Sequence, residues 1–468
     1  MPVWLAPLHL NILPPPTKLE ANEFSFVENS GNTNPYKTLT STSSSELENL
    51  WVTGSGAGSK ATGYWVDSDG QEATFTNLGN IYVTAVDGAN SWSQRAIGVA
   101  DGATAINKGT IVVQNAYGMT VGSDKNGSTP ATIINEGSIA VYKTGAAIEL
   151  GGVKGSTAEN KGQIYVGKPS ASDGAFTIGV LVKDHKEGTF TNSGLIDAKE
   201  ATAAIAVQQG TSTDKNTILL SSGSQTLGKI LIDAPNTTLN MEDGAVYEGG
   251  IFVSKNATKT AISGTQKAEG LTASDGAALF LAPADSSASI KNALYSGNKA
   301  SGATVAMGGA VYSNGSPIYF ENTVFDGNSA VITSPAKDTH AATGGAIQIK
   351  GSPDTVFKDV VFMNNSAAVT GAADKGAYAF GGAINVDYST GSTTGVKRDS
   401  DVKFIITKDL AYTGNTVSSD GTGKPDTYGY THSHTQAGGF LFLDRGSVAT
   451  FEVQGAATLT IGEKGTTG

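Results

Sequence analysis

The sequence predicts an all-β fold, a right-handed single-stranded parallel β-helix, and three observations carry the prediction. The stretch Gly308 to Val331, GGAVYSNGSPIYFENTVFDGNSAV, is written again at Gly344 to Val369, GGAIQIKGSPDTVFKDVVFMNNSAAV. A different unit recurs upstream: ATFTNLGNIYV from Ala73, ATAINKGTIVV from Ala103, ATIINEGSIAV from Ala131, STAENKGQIYV from Ser156 and GTFTNSGLIDA from Gly188. Glycine is abundant, 60 of 468 residues, while proline is scarce at 14, a balance that fits repeated turns and excludes a collagen-like chain. Self-similarity at such periods is the signature of a solenoid, in which each coil buries its apolar face only against its neighbours. A β-sandwich is disfavoured, because its short hairpins would not return one residue type to one corner.

Along the chain, residues 1–20, with Pro14, Pro15 and Pro16, read as an extended leader. Residues 21–70 are assigned to an N-terminal cap, since the open end of a solenoid needs covering, with strands near Phe24 to Val27 and Leu50 to Val52. Residues 71–275 form the first repeat region. Its asparagines Asn77, Asn107, Asn135, Asn160 and Asn192 are each followed two residues later by glycine and four residues later by isoleucine. At a β-helix corner asparagine tolerates a left-handed backbone, and its amide can bond the amides of the coils on either side in a ladder. Isoleucine and valine then fill the inward face. Thr217 to Gly276 is less regular but keeps short strands coming, and joins the two registers. Residues 276–468 form the second region, marked by Gly-Gly-Ala-Ile/Val and Phe-x-x-Asn, with Asn328 and Asn365 as further ladder residues. Twelve to fifteen coils are expected, a rod on the order of 60 to 70 Å at a strand spacing of about 4.8 Å.

The second motif pair, Gly308-Gly-Ala-Val with Phe325 to Asn328 and Gly344-Gly-Ala-Ile with Phe362 to Asn365, resembles the passenger repeats of polymorphic membrane proteins of the chlamydial type and of related bacterial autotransporters. Three further copies depart from the pattern: Tyr295 and Tyr412 stand for phenylalanine, and Gly276 lacks its second glycine. The resemblance implies a pectin-lyase-like architecture and an adhesin-like passenger at the cell surface or outside the cell. It also implies host-cell, matrix or glycan ligands, or sibling bacteria, as partners, and a C-terminal outer-membrane barrel tethering the native chain. No alternating barrel strands follow Gly468, so the sequence is expected to be a fragment of such a protein.

Charge narrows the function. A net charge of −11 with only Arg95, Arg398 and Arg445 as arginines argues against nucleic-acid and phosphate-rich ligands. Cysteine is absent, so stability rests on ladders and stacking rather than disulfides. No apolar run is long enough for a transmembrane helix, and Met1 to Leu13 makes a poor signal peptide, with no Lys or Arg before its core. No cofactor is implied.

Candidate sites are few. Asp67-Ser-Asp69-Gly70 begins like a calcium loop, but the later acidic ligands are missing and a solvated turn explains it. His432 and His434 share a strand face without a third ligand nearby. The segment Ser418 to Gln436 is the longest insertion, and with Tyr428, Tyr430, His432 and His434 it is the candidate binding loop; Lys397 and Arg398 in the neighbouring insertion Tyr388 to Asp401 are expected to join it in one patch. A carbohydrate-active enzyme is the alternative on this architecture, but no coil repeats a carboxylate at an outward strand position, and a non-enzymatic chain is the expectation. A structural component of a biofilm or surface layer is the third reading.

Overall fold

The computed structural model describes residues 25–29, 37–39, 44–54, 62–67, 73–85, 94–121, 129–172, 174–183, 187–208, 215–283, 285–333, 340–372, 376–387, 389–390, 397–421, 436–444 and 446–462. Every described element in them is a strand, and nearly all pairing is parallel between one coil and the next. Three long sheets run the length of the molecule. In chain order within a coil they are face one (13 strands, beginning Ser25–Asn29, Leu50–Gly54, Asn80–Ala85), face two (14 strands, beginning Lys37–Leu39, Thr62–Asp67, Arg95–Ala100) and face three (14 strands, beginning Ser44–Glu46, Thr74–Asn77, Thr104–Asn107). The arrangement is the right-handed parallel β-helix. Fourteen coils at about 4.8 Å each give a stack of roughly 60 to 65 Å.

Alternation builds the interior. The strand Asn80–Ala85 points Ile81, Val83 and Ala85 inward, and Thr74–Asn77 buries Phe75 and Asn77. Successive coils repeat the choice in register: Ile81 pairs with Ile111, Ile111 with Ile139, Ile139 with Ile164 and Ile164 with Ile196. In the second region the core turns aromatic. Tyr295, Phe325 and Phe362 stack at centroid separations of 4.7 and 5.2 Å, and Phe320, Phe357, Phe404 and Phe451 at 5.9, 4.9 and 4.5 Å. One coil rise sets both series, because a ring in each coil meets the ring of the next.

Several expectations change. Residues 21–70, assigned to a cap, supply strands to the same three faces, and Ser25–Asn29 already pairs with Leu50–Gly54. The 1–20 leader lies outside the described residues. Face two is also buried on its outer side over the N-terminal coils, where Tyr117, Ala146, Ile178, Leu181, Ala203 and Ala206 form a second apolar layer. The largest change is a wing. After each Phe-x-x-Asn the chain does not loop but enters a fourth, five-stranded sheet (Thr272–Ala273, Lys299–Ser301, Ser329–Thr333, Ser366–Thr370, Thr416–Ser419). It then returns through a fifth, four-stranded sheet (Val305–Met307, His340–Thr343, Ala377–Phe380, Gln436–Ala437) to face two. These two sheets enclose a small core of their own, made of Ala300, Ala306, Ala330, Ile332, Ala342, Ala367, Val369, Ala372, Ala377 and Ala379. Alanine dominates this core, with Ile332 and Val369 as its larger members, and such small apolar runs are why the strands read as loop in sequence.

Candidate binding surface: the wing and its root

Two asparagine ladders hold the coils together, at different corners. In the first region Asn77, Asn107, Asn135 and Asn160 each donate from Nδ2 to Oδ1 of the next ladder asparagine at 2.8 Å, and Asn192 closes the series on Thr226 Oγ1 at 2.9 Å. All five are buried at the corner from face three to face one. None adopts a positive φ, so the expected left-handed backbone is not their role. Their amide chain is, because each buried amide donates to the next coil and, from Asn107 on, accepts from the one before. The glycine two residues on is needed for close approach instead. A Cβ at Gly109 would lie 1.9 Å from Gly79 O, and at Gly137 2.1 Å from Gly109 O.

The second ladder sits at the foot of the wing. Asn298, Asn328 and Asn365 donate from Nδ2 to Oδ1 of Asn328, Asn365 and Asn415 at 2.9, 3.0 and 2.9 Å. Asn328 Nδ2 also reaches Tyr295 O at 2.9 Å and Asn365 Nδ2 reaches Phe325 O at 3.0 Å, binding the wing to the face-one strand below. Here the left-handed turn falls one residue earlier, at Gly297, Gly327, Asn364 and Gly414, with φ of 61, 65, 57 and 66°. The Gly-Gly pair performs the return. Gly308, Gly344, Gly381 and Gly438 take φ of 61 to 73°, a region L side chains rarely enter. The second glycine lies where wing and body cross: a Cβ at Gly345 would stand 2.0 Å from Gly382 O and 2.5 Å from Ser366 N.

The insertions follow from this topology. Residues 334–339, 373–375 and 422–435 each connect the outgoing wing sheet to the returning one. Tyr428, Tyr430, His432 and His434 lie in the last of these, outside the described residues. Lys397 and Arg398 form a two-residue strand antiparallel to Ser389–Thr390, between face two and face three. The two insertions therefore leave the coil at different corners, and the expected joint patch is not formed by their anchor points. Asp67 ends a face-two strand, while Asp69 lies outside the described residues. Among the described residues no three His, Cys, Asp or Glu side chains are grouped to hold a metal.

Outward positions on face two form one row in register, Leu231, Phe252, Phe280, Tyr312, Gln348, Asn385 and Phe442. Phe280 and Tyr312 stack at 5.1 Å. Burial, with the charges of Asp275 and Asp387, pushes the Tyr312 hydroxyl up to about 12, so it is a neutral donor at any physiological pH. Burial likewise raises the Asp275 carboxyl, although the Met307 N–H it accepts at 3.0 Å opposes the shift. Beside this row, where the first wing strand overhangs the tight coils before it, lies a cavity of about 410 Å³ bounded by Lys199, Lys229, Phe252, Lys267, Glu248 and Glu269. Sequence reading missed it. The only signal is Gly249-Gly250, a glycine pair outside both repeat frames.

Residues 19–185 match the family model of the BigA third pectate lyase-like domain. The match spans the first coils, roughly a third of the chain, and supports a pectate lyase-like repeat domain; it does not reach the Gly-Gly-Ala and Phe-x-x-Asn repeats of the wing. No curated protein and no solved structure matches the chain.

Proposed function

We propose that the chain is an adhesin-like passenger region of a bacterial surface protein, non-enzymatic, in which the β-helix is a rigid stalk and the wing carries the contact segments. The observation that carries the reading is the wing: three insertions in successive coils are all set at the turn between its two sheets, held away from the body by a packed support. Stacking insertions at one position of each coil is how repeat proteins build an extended contact surface. The match of residues 19–185 to a domain of BigA, an autotransporter-like surface protein, supports display at the cell surface. The kinship to polymorphic membrane proteins, a C-terminal barrel tether and a cell, matrix or glycan ligand belong to the same proposal.

The test removes residues 422–435 while keeping Ser419, Asp420 and Gln436, which are hydrogen-bonded within the wing. Adhesion of cells displaying the shortened chain should fall, with the melting temperature of the purified chain unchanged. Undiminished adhesion would sink the assignment. A polysaccharide screen that released reducing ends or unsaturated products would replace it with the enzyme reading.

A further inference from the structure

Three successive corners between face one and face two, Ala198-Lys199, Gly228-Lys229 and Gly249-Gly250, stack at the root of the wing, and Gly270-Leu271 in the next coil leads from face one into the first wing strand. The N–H groups of Ala198, Gly228 and Gly249 donate to the carbonyls of Leu227, Glu248 and Lys267, each on the following coil. Lys229 and Gly250 hold equivalent places, since Ile205 and Ile230 pair in register and Lys229 O accepts from Ile205 N–H as Gly250 O does from Ile230 N–H. Where one coil carries a lysine, the next carries no side chain at all. The Phe252 ring occupies part of that space, and a Cβ at Gly250 would lie 2.7 Å from its Cε2 and 2.9 Å from Ala277 O. With Thr272 and Leu271 overhanging from the wing, the missing side chain becomes the cavity. Its floor is fixed from below: Gln266 Nε2 donates to Gly249 O and Ala278 O, both at 2.8 Å, and Tyr247 Oη donates to Gly250 O at 2.9 Å.

The charges divide into two groups. Lys267 is held by Glu269 at 2.8 Å and Glu248 at 3.5 Å, and the Glu269 hydrogen bond raises its proton affinity, so it stays charged. Lys199 and Lys229 are exposed at the wall and have no ion-pair partner among the described residues. A chain of net charge −11 thus gathers three ammonium groups, two of them uncommitted, beside one aromatic ring and two carboxylates. A volume of about 410 Å³ is at the small end for ligand pockets, the size of one compact unit rather than a chain.

We propose that this cavity binds the terminal carboxylate-bearing sugar of a glycan. Lys199 and Lys229 receive the carboxylate, Phe252 packs against the apolar face of the ring, and the Glu248, Lys267 and Glu269 cluster takes the hydroxyls. A sugar hydroxyl both donates and accepts, so it satisfies the ammonium and the carboxylates together, whereas an acidic peptide side chain brings only acceptors to a wall that already holds two carboxylates. The proposal rests on the reading of the chain as a binding stalk and gives that stalk a ligand class.

The purified chain is applied to an array of oligosaccharides ending in glucuronic or sialic acid, each beside its carboxyl-reduced counterpart, with an oligoglutamate peptide as the acidic control. Binding to the acid-terminated glycans alone is expected. The double variant Lys199→Gln, Lys229→Gln should weaken it by at least about tenfold, the scale of one lost charge-assisted hydrogen bond. Phe252→Ala should weaken it as well, and the double lysine variant should melt like the parent, because both lysines are exposed. Equal binding to the reduced glycans, preference for the peptide, no binding at all, or an undiminished double variant would each overturn the proposal. Array binding without cell adhesion would leave the cavity standing and overturn the stalk; adhesion without array binding would do the reverse.

Discussion

Asn328→Ala tests whether the second ladder fastens the wing. The Asn328 side chain takes part in four buried hydrogen bonds: it accepts from Asn298 N–H at 3.1 Å and Asn298 Nδ2 at 2.9 Å, and donates to Tyr295 O at 2.9 Å and Asn365 Oδ1 at 3.0 Å. At about 1 kcal/mol net for each, the loss is ~4 kcal/mol, before any cost for the Asn298 N–H left buried without a partner. A 14-coil array does not unfold as one unit, so the cost should appear locally, in the coils that the asparagine ties. The assay is native-state hydrogen exchange read by mass spectrometry. Amides of Ser329–Thr333 and Ser366–Thr370 should exchange about a thousandfold faster, the equivalent of ~4 kcal/mol, while those of Thr104–Asn107 and Thr110–Gln114 keep their protection. Asn328→Asp should be no better, because a carboxylate keeps the two acceptor bonds but sets its charge against the oxygens of Tyr295 and Asn365. Wing protection within tenfold of the parent in Asn328→Ala would refute the ladder as the fastening.

Gly345→Ala should abolish folding of the wing coils, since its Cβ would lie 2.0 Å from the Gly382 carbonyl oxygen; Gly327→Ala, with only Gly297 N at 4.0 Å but a φ of 65°, should cost about 1 kcal/mol. Comparing the melting curves of the two separates close approach from backbone conformation. Phe357→Ala removes a ring stacked on Phe320 and Phe404 and should lower the local stability of the second region by about 3 to 5 kcal/mol in denaturant titration. Asp420 accepts the N–H groups of Ala372 and Gly371, which hold its carboxyl below the ordinary value of 3.8. A depressed folded pKa gives stability that is present above 3.8 and lost as the pH falls through the folded value, so exchange at Gly371 and Ala372 should rise below about pH 3.8 in the parent and be insensitive to that step in Asp420→Asn. Lys358→Ala breaks the 2.7 Å bond to Glu321 on the outside of face three and should leave the melting temperature of the chain unchanged, since an ion pair reached by solvent is screened.

Repetition made most of the coil legible in the sequence. Five Asn-x-Gly-x-Ile units fix a strand, a corner and a strand, and parallel stacking then leaves one register in which Asn77 to Asn192 and Ile81 to Ile196 align. Ala278, Ala310, Ala346, Ala383 and Phe440, at equal places in the second repeat, likewise fall in one stack, each N–H donating to the next carbonyl. What an asparagine or glycine does at its corner was not legible. Its φ depends on how the neighbouring coil crosses it, and the left-handed residue turned out to be Gly327 or Asn364 rather than Asn328 or Asn365.

The wing was decided by tertiary structure alone. Short runs such as Ser366-Ala-Ala-Val carry too little apolar area to mark a strand, and they become one only because Ser329–Thr333 and Thr416–Ser419 lie on either side to complete their hydrogen bonds. The cavity has the same origin. Lys199, Lys229, Phe252 and Glu269 come from four separate coils, so no local spacing announces them, and they meet because the corner at Gly249-Gly250 is the last tight one before the wing begins. Sequence set the period, and the change from one period to the next made the site.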